Sequence, residues 1–174
     1  MSAGYNSDKY VLHFLDNYSR MNYIYILVTK KLITQMVQDF ITFVHKQYNQ
    51  TIQILRTDRE TALGKQFIDW TLSIGITTEY SSPYTPEQNG AAERSRGVIM
   101  AKARAIWIDA HLLEFLWPKT VKMAAYLTNR SSTKWLNWKT PLEELQQALN
   151  VHNPKPNISH LKVYGCQAYP NIPH

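Results

Sequence analysis

Residues 81–108 read SSPYTPEQNGAAERSRGVIMAKARAIWI, and the change of character inside this stretch organises everything around it. Residues 81–90 hold two prolines, a glycine and small polar side chains, which is loop composition. The spacing after them predicts a long helix from about Asn89, acting as cap, to about Ile108. Glu93 then falls in the first helical turn. At about 100° per residue, Glu93 shares its face with Arg96, Gly97, Met100 and Arg104. Val98 and Ala105 are turned away from that face and are expected in the core. A glutamate in a first turn has a structural explanation, because it complements the helix dipole. What singles Glu93 out is a basic stripe that includes a glycine costing the helix roughly 1 kcal/mol relative to alanine.

Upstream, residues 10–16 (YVLHFLD) and 23–28 (YIYILV) are β-branched and aromatic runs around the polar stretch NYSRMN. They predict an antiparallel strand pair. Residues 32–48 place Ile33, Met36, Val37, Phe40, Ile41, Val44 and Tyr48 at steps of three and four, an amphipathic helix. A short buried strand is expected at 52–55, leading into Arg56-Thr57-Asp58, then a helix at 66–74 and a strand at 76–80. Beyond the long helix, 112–129 predicts another, with Pro118 near an early turn or at a kink. Thr140 caps a short helix over 142–149, with Glu143 and Glu144 in its first turn. Residues 151–157 form a Pro/Asn-rich linker, and 161–169 predict a final strand outside the main core. This order predicts an α/β layer fold with a mixed sheet flanked by helices.

The chain of 174 residues suits one domain and can bury a core unaided. Cys166 is its one cysteine, which excludes an intrachain disulfide framework and points to a reduced, intracellular compartment. The six histidines are scattered, with none at zinc-ligand spacing. No apolar run of about 18 residues exists to span a membrane, and the polar start lacks a signal segment. Residues 1–87 carry eight basic and eight acidic side chains, whereas 88–174 carry eleven and five, the whole net charge of +6. One basic half fits a polyanionic partner, although a solvated Lys/Arg surface accounts for charge alone.

Asp58 follows a strand, where a sheet holds a metal ligand rigidly and a loop leaves it open; a turn or cap aspartate is the structural alternative. A carboxylate on a basic helical face points to metal-assisted chemistry on phosphates, since Mg²⁺ takes oxygen ligands from one or two carboxylates and substrate phosphate. Arg94, Arg96, Lys102 and Arg104 are candidates for phosphate contacts. Tyr84, Gln88 and Asn89 would add stacking or hydrogen bonds from the loop, although a lone loop tyrosine more often anchors the loop.

These residues resemble a known family. Ser82-Pro83-Tyr84-Thr85-Pro86-Glu87-Gln88-Asn89-Gly90-Ala91-Ala92-Glu93-Arg94 is similar to the SPYTPxQNGxAER signature of integrases from copia-type LTR retrotransposons, with the fungal branch nearest in pattern. Leu55-Arg56-Thr57-Asp58 resembles the segment ending in their second catalytic aspartate, and Phe14 to Arg20 their F-x-D-x-Y-S-R turn. Leu116-Trp117-Pro118, residues 125–130, Lys139-Thr140-Pro141 and residues 161–166 resemble the family in order, so the likeness spans nearly the whole chain. It implies an RNase H-like, retroviral-integrase-core fold over 1–130, with 131–174 as a C-terminal extension. It further implies DNA strand transfer by three carboxylates with two Mg²⁺ or Mn²⁺ ions, Asp58 and Glu93 matching the second and third. Implied partners are the element's DNA ends and target DNA, with RNA as a further class, in a homo-oligomer; the parent enzyme would work in the nucleus.

Three departures qualify that likeness. The family's first aspartate lies on a first strand ahead of the F-x-D-x-Y-S-R segment, usually before Gly-Pro. Residues 1–8, MSAGYNSD, resemble the loop after that strand, so strand and aspartate are expected to be absent here, together with the usual preceding zinc-binding domain. Asp8 belongs to the loop, and Asp16 is a lesser metal-ligand candidate. Arg59 stands where glycine is expected after Asp58, and Arg96 where the fungal branch often has glycine. The expectation is a catalytic-core fragment of a truncated or decayed polyprotein, with little strand transfer by itself. The alternatives are a non-catalytic nucleic-acid-binding module, an inert remnant, or a nuclease using Asp16, Asp58 and Glu93.

Overall fold

The computed structural model describes residues 3–57, 63–80 and 86–166, with the main chain alone at 86–89. The chain forms β1 (Tyr10–Leu15), β2 (Asn22–Leu27), α1 (Ile33–Tyr48), β3 (Ile54–Thr57), α2 (Lys65–Ser73), β4 (Thr77–Tyr80), α3 (Pro86–Asp109), α4 (Trp117–Thr128) and α5 (Pro141–Ala148). Single 3₁₀ turns at Lys30–Leu32, Glu114–Leu116 and Lys134–Leu136 connect them.

β1 and β2 pair antiparallel, with Val11 opposite Ile26 and Phe14 opposite Tyr23. Alternation then sends two sets of side chains to two faces. Val11, Ile24 and Ile26 pack on the cluster of Ile99 and Ala103 from α3 and Trp117, Val121, Ala124 and Ala125 from α4. Phe14 goes the other way and stacks on Phe40 of α1, ring centroids 4.1 Å apart. A second cluster joins Val37 of α1 and Phe67 of α2 to Leu63, with Leu55 of β3 against it. The hairpin is therefore the middle layer between α1 and the α3–α4 pair.

The strands form two separate two-stranded sheets among the described residues, not one continuous mixed sheet. β3 and β4 pair parallel, Thr57 opposite Tyr80. β3 is not the buried strand that an apolar run suggested: Ile54 is 53% exposed, because α2 covers only one face of this small sheet.

Local chemistry sets the helix ends. Asn49 takes φ 51 after α1 and donates its N–H to His45 O at 2.9 Å, a left-handed stop. At α5, Thr140 is the expected cap: its Oγ1 accepts from Glu143 N at 3.0 Å, and Glu143 reaches back to Thr140 N, which completes a capping box. Pro118 sits at the start of α4, where no N–H is missed. α3 starts at Pro86, earlier than the Asn-Gly pair suggested, so residues 86–90 are helix and not loop. Proline presets the first helical turn, and the helix absorbs Asn89 and Gly90. α3 ends with His111 at φ 48, Leu112 N donating to Trp107 O and His111 N to Ile108 O.

The face that α3 buries also differs from expectation. Ile99 and Ala103 are buried, whereas Val98 is 47% exposed and Ala105 is exposed. Apolar residues surround this helix, so no single stripe announces the buried side. Gly97 is exposed, and a Cβ there would have open space. Gly97→Ala is expected to stabilise the chain by about 1 kcal/mol, raising Tm by about 2–4 °C in a thermal melt.

The final strand expected at 161–169 is not formed by residues 161–166, which turn instead; 167–169 lie outside the described residues. Gly165 at φ 87 lies against Ala110, so close that a Cβ would stand 2.6 Å from the alanine Cβ. That approach and the left-handed turn both require glycine.

Candidate metal and nucleic-acid site

β3 and β4 run parallel, so both end at the same edge of their sheet, Thr57 beside Tyr80. Asp58 is the next residue after β3, and six residues after Tyr80 the chain enters α3. Asp58 and Tyr84 lie outside the described residues, as do the side chains of Gln88 and Asn89.

Glu93 stands about two turns into α3, exposed, with no hydrogen bond or ion pair among the described residues. An unengaged carboxylate on a rigid helix can take a hard cation or a proton without breaking a structural bond. Oxygen donors of this kind fit Mg²⁺ or Mn²⁺. The described residues hold no group of three His, Cys, Asp or Glu side chains placed to bind a metal.

Asp16 is committed elsewhere. Its Oδ2 accepts from Ser19 N at 2.9 Å and from Ser19 Oγ at 2.5 Å, closing the β1–β2 turn. Ser19 is fully buried, so this is a structural turn aspartate.

The cations of α3 diverge. Arg94 is exposed and lies back over Gly90. Arg96 is exposed and, with Lys9 and Lys30, lines a groove of about 380 Å³ along residues 9–12. Arg104 borders a separate cavity of about 110 Å³ with Trp107, Glu114 and Trp117. Lys102 points toward α4, its Nζ donating to Thr128 Oγ1 at 3.2 Å. Burial lowers the Lys102 pKa from its ordinary value. Arg94, Arg96 and Arg104 therefore remain on solvent-facing parts of α3, while Lys102 is turned from Glu93 toward the α3–α4 seam.

A buried polar hub, which no local sequence signal announced, ties the first half of α3 to the rest. Asn129, just past α4, accepts at Oδ1 from Asn22 N at 2.9 Å and from Asn22 Nδ2 at 3.0 Å. Its own Nδ2 donates to Asn22 O at 2.8 Å, and its main-chain O accepts from Leu142 N at 2.9 Å. Asn22 Oδ1 in turn takes Ser95 Oγ at 2.5 Å and stands 2.9 Å from His13 Nε2. Ser95 is two residues from Glu93, so the hub fixes the helix turn that carries the candidate ligand.

His13 shows the hub's effect on ionisation. Burial lowers its pKa below the ordinary histidine value; the Asn22 hydrogen bond opposes that, and Arg96 adds to the lowering. The unfolded chain then binds a proton on His13 at pH values where the folded chain does not. This contribution to stability is present above about pH 6.5 and declines as pH falls from there toward the folded-state pKa. Tm is expected to fall between pH 7.5 and pH 5.5, and less steeply in His13→Gln, as read by thermal melts at both pH values.

The fold is that of solved retroviral integrase cores, a mixed α/β arrangement consistent with an RNase H-like domain. A solved HTLV-2 integrase catalytic core domain in complex with magnesium, in a trimeric form, matches with TM-score 0.56 and 14% identity over 79% of this chain and 92% of that one. A simian T-cell lymphotropic virus intasome in complex with a PP2A regulatory subunit matches with TM-score 0.61 and 15% identity over 92% of this chain and 63% of that one. No protein-family model matches the chain.

In sequence, the chain is 34% identical over 167 residues to the retrovirus-related Pol polyprotein from transposon TNT 1-94 of Nicotiana tabacum, covering 95% of this chain and 12% of that one. It is 29% identical over 165 residues to the Pol polyprotein from transposon RE2 of Arabidopsis thaliana, covering 93% and 11%. The chain is thus homologous to the Pol polyproteins of copia-type retrotransposons, and spans about a tenth of the length of these relatives. No helix among the described residues is long and apolar enough to cross a membrane.

Proposed function

We propose that these residues are the integrase-core portion of a retrotransposon polyprotein that joins DNA ends to target DNA, with Asp58 and Glu93 as metal-holding carboxylates. The observation that carries this reading is the Glu93 carboxylate, unengaged among the described residues, on a helix that hub contacts hold in place. Thr57 and Tyr80 are register partners, and the six Cα steps from Tyr80 to Pro86 reach at most about 21 Å. That tether limits how far the start of α3 can lie from the strand end that Asp58 follows. A bound divalent ion would supply Lewis-acid stabilisation of the transferred phosphate. Glu93 would orient and charge-balance that ion, and Arg94 and Arg96 would hold backbone phosphates.

Asp16, the lesser metal-ligand candidate, is held in its turn by Ser19. Strand transfer is assigned to the polyprotein, working on DNA as a homo-oligomer in the nucleus. The solved neighbours, described as a magnesium-bound trimeric form and as an intasome, support the ion and the assembly. Residues 131–174 act as an extension of the core. A differential scanning melt with MnCl₂ tests the reading. We expect a rise in Tm that Asp58→Asn and Glu93→Gln each abolish; a wild-type melt indifferent to Mn²⁺ would reject it.

A further inference from the structure

From Phe115 to Leu142 the chain carries Lys119, Lys122, Arg130, Lys134 and Lys139 and no aspartate or glutamate. Within this stretch, the loop between α4 and α5 is closed on itself. Thr133 N donates to Lys139 O at 3.1 Å, Trp138 N to Thr133 O at 3.0 Å and Asn137 N to Lys134 O at 3.2 Å. Asn137 and Trp138 take φ 51 and 65 in succession. A left-handed backbone is costly for a bulky aromatic residue, and such conformations gather at functional sites. The result is two tryptophans displayed on a bonded loop, Trp135 76% and Trp138 70% exposed.

Cations flank these rings. The Arg20 guanidinium stands 5.7 Å from the Trp135 ring centroid. Lys134 adjoins Trp135 and has no ion-pair partner among the described residues. Lys139 is engaged by Glu144 and Gln147 and contributes less free charge. The patch is also linked to α3 through Asn22. Arg20 is two residues from Asn22, which holds Ser95 of α3 and Asn129, the residue that begins this connection.

We infer that residues 133–139 together with Arg20 form a binding surface for single-stranded nucleic acid. Trp135 and Trp138 stack on unpaired bases, and Arg20 and Lys134 meet the phosphates. Indoles stack on exposed base faces, which a duplex hides, and the net positive stretch favours a polyanionic partner. The inference deepens the proposed function and rests on it for nucleic acid as the ligand.

The test is fluorescence anisotropy of a labelled single strand of about 20 nucleotides and of the same sequence as a blunt duplex. We expect Trp135→Ala and Trp138→Ala each to weaken single-strand binding roughly tenfold, with little change for the duplex. Trp135→Phe should retain most of the affinity. Trp138→Asn, whose residue tolerates left-handed φ, should lose as much as Trp138→Ala, separating the ring from the backbone. Single-strand binding unchanged in the double alanine variant, with duplex binding intact, overturns this inference alone. Equal losses for strand and duplex overturn it, as does a change in sedimentation without a change in binding, which marks a contact between copies. No binding of either nucleic acid by the wild-type chain at low salt overturns both this inference and the proposed function.

Discussion

Asn129→Ala is expected to destabilise the chain by about 3 kcal/mol in urea unfolding, a loss of about 6–12 °C in Tm. Three hydrogen bonds to Asn22 disappear, and their partners stay buried. Unsatisfied buried groups cost about 1–3 kcal/mol each, and partial relaxation keeps the sum below the simple total. The damage is also directional. Asn22 opens β2 and holds Ser95, so the contact between the hairpin and the head of α3 loosens along with the contact to α4. Gln50→Ala, at an exposed position, should stay within about 0.5 kcal/mol of wild type. A loss under about 1 kcal/mol for Asn129→Ala would show that apolar packing alone joins these elements.

Glu93→Gln has the opposite profile: large in chemistry and small in stability. In a Pol polypeptide that includes the sequence upstream of these residues, it is expected to lower Mg²⁺-dependent joining of a DNA end on the order of a hundredfold or more. Glutamine keeps size and helix propensity but removes the charge that balances a divalent ion. Because Glu93 is exposed and unengaged among the described residues, unfolding in the absence of metal should change by less than about 0.5 kcal/mol. Joining at wild-type rate would remove Glu93 from the chemistry, and a large loss of apo stability would reassign it to structure.

Local chemistry was legible, and what depends on distant partners was not. The β1–β2 pair, α1 and the Thr140 cap each carry their signal within a few residues, and each forms close to the expected position. The buried face of α3 was misjudged because Ile99 and Ala103 on one side compete with Val98 and Ala105 on the other. Only α4 and the hairpin decide between those faces. Residues 81–90 have loop composition with Asn89 as the expected cap, yet Pro86 starts the helix ahead of it. The Asn22–Asn129 hub joins residues 107 apart, beyond any periodic signal. Nothing in the sequence around Trp135 and Trp138 signals that both turn outward. Of the candidate site, the motif marked Glu93, but only the structure showed its carboxylate unengaged and Asp16 consumed by Ser19.

The most direct measurement is anomalous diffraction at the manganese edge from crystals of these 174 residues grown with MnCl₂. The predicted result is a peak between the Asp58 and Glu93 carboxylates, within about 2–2.5 Å of an oxygen from each. Side chains pointing to separate faces, or manganese bound away from both, would contradict the account.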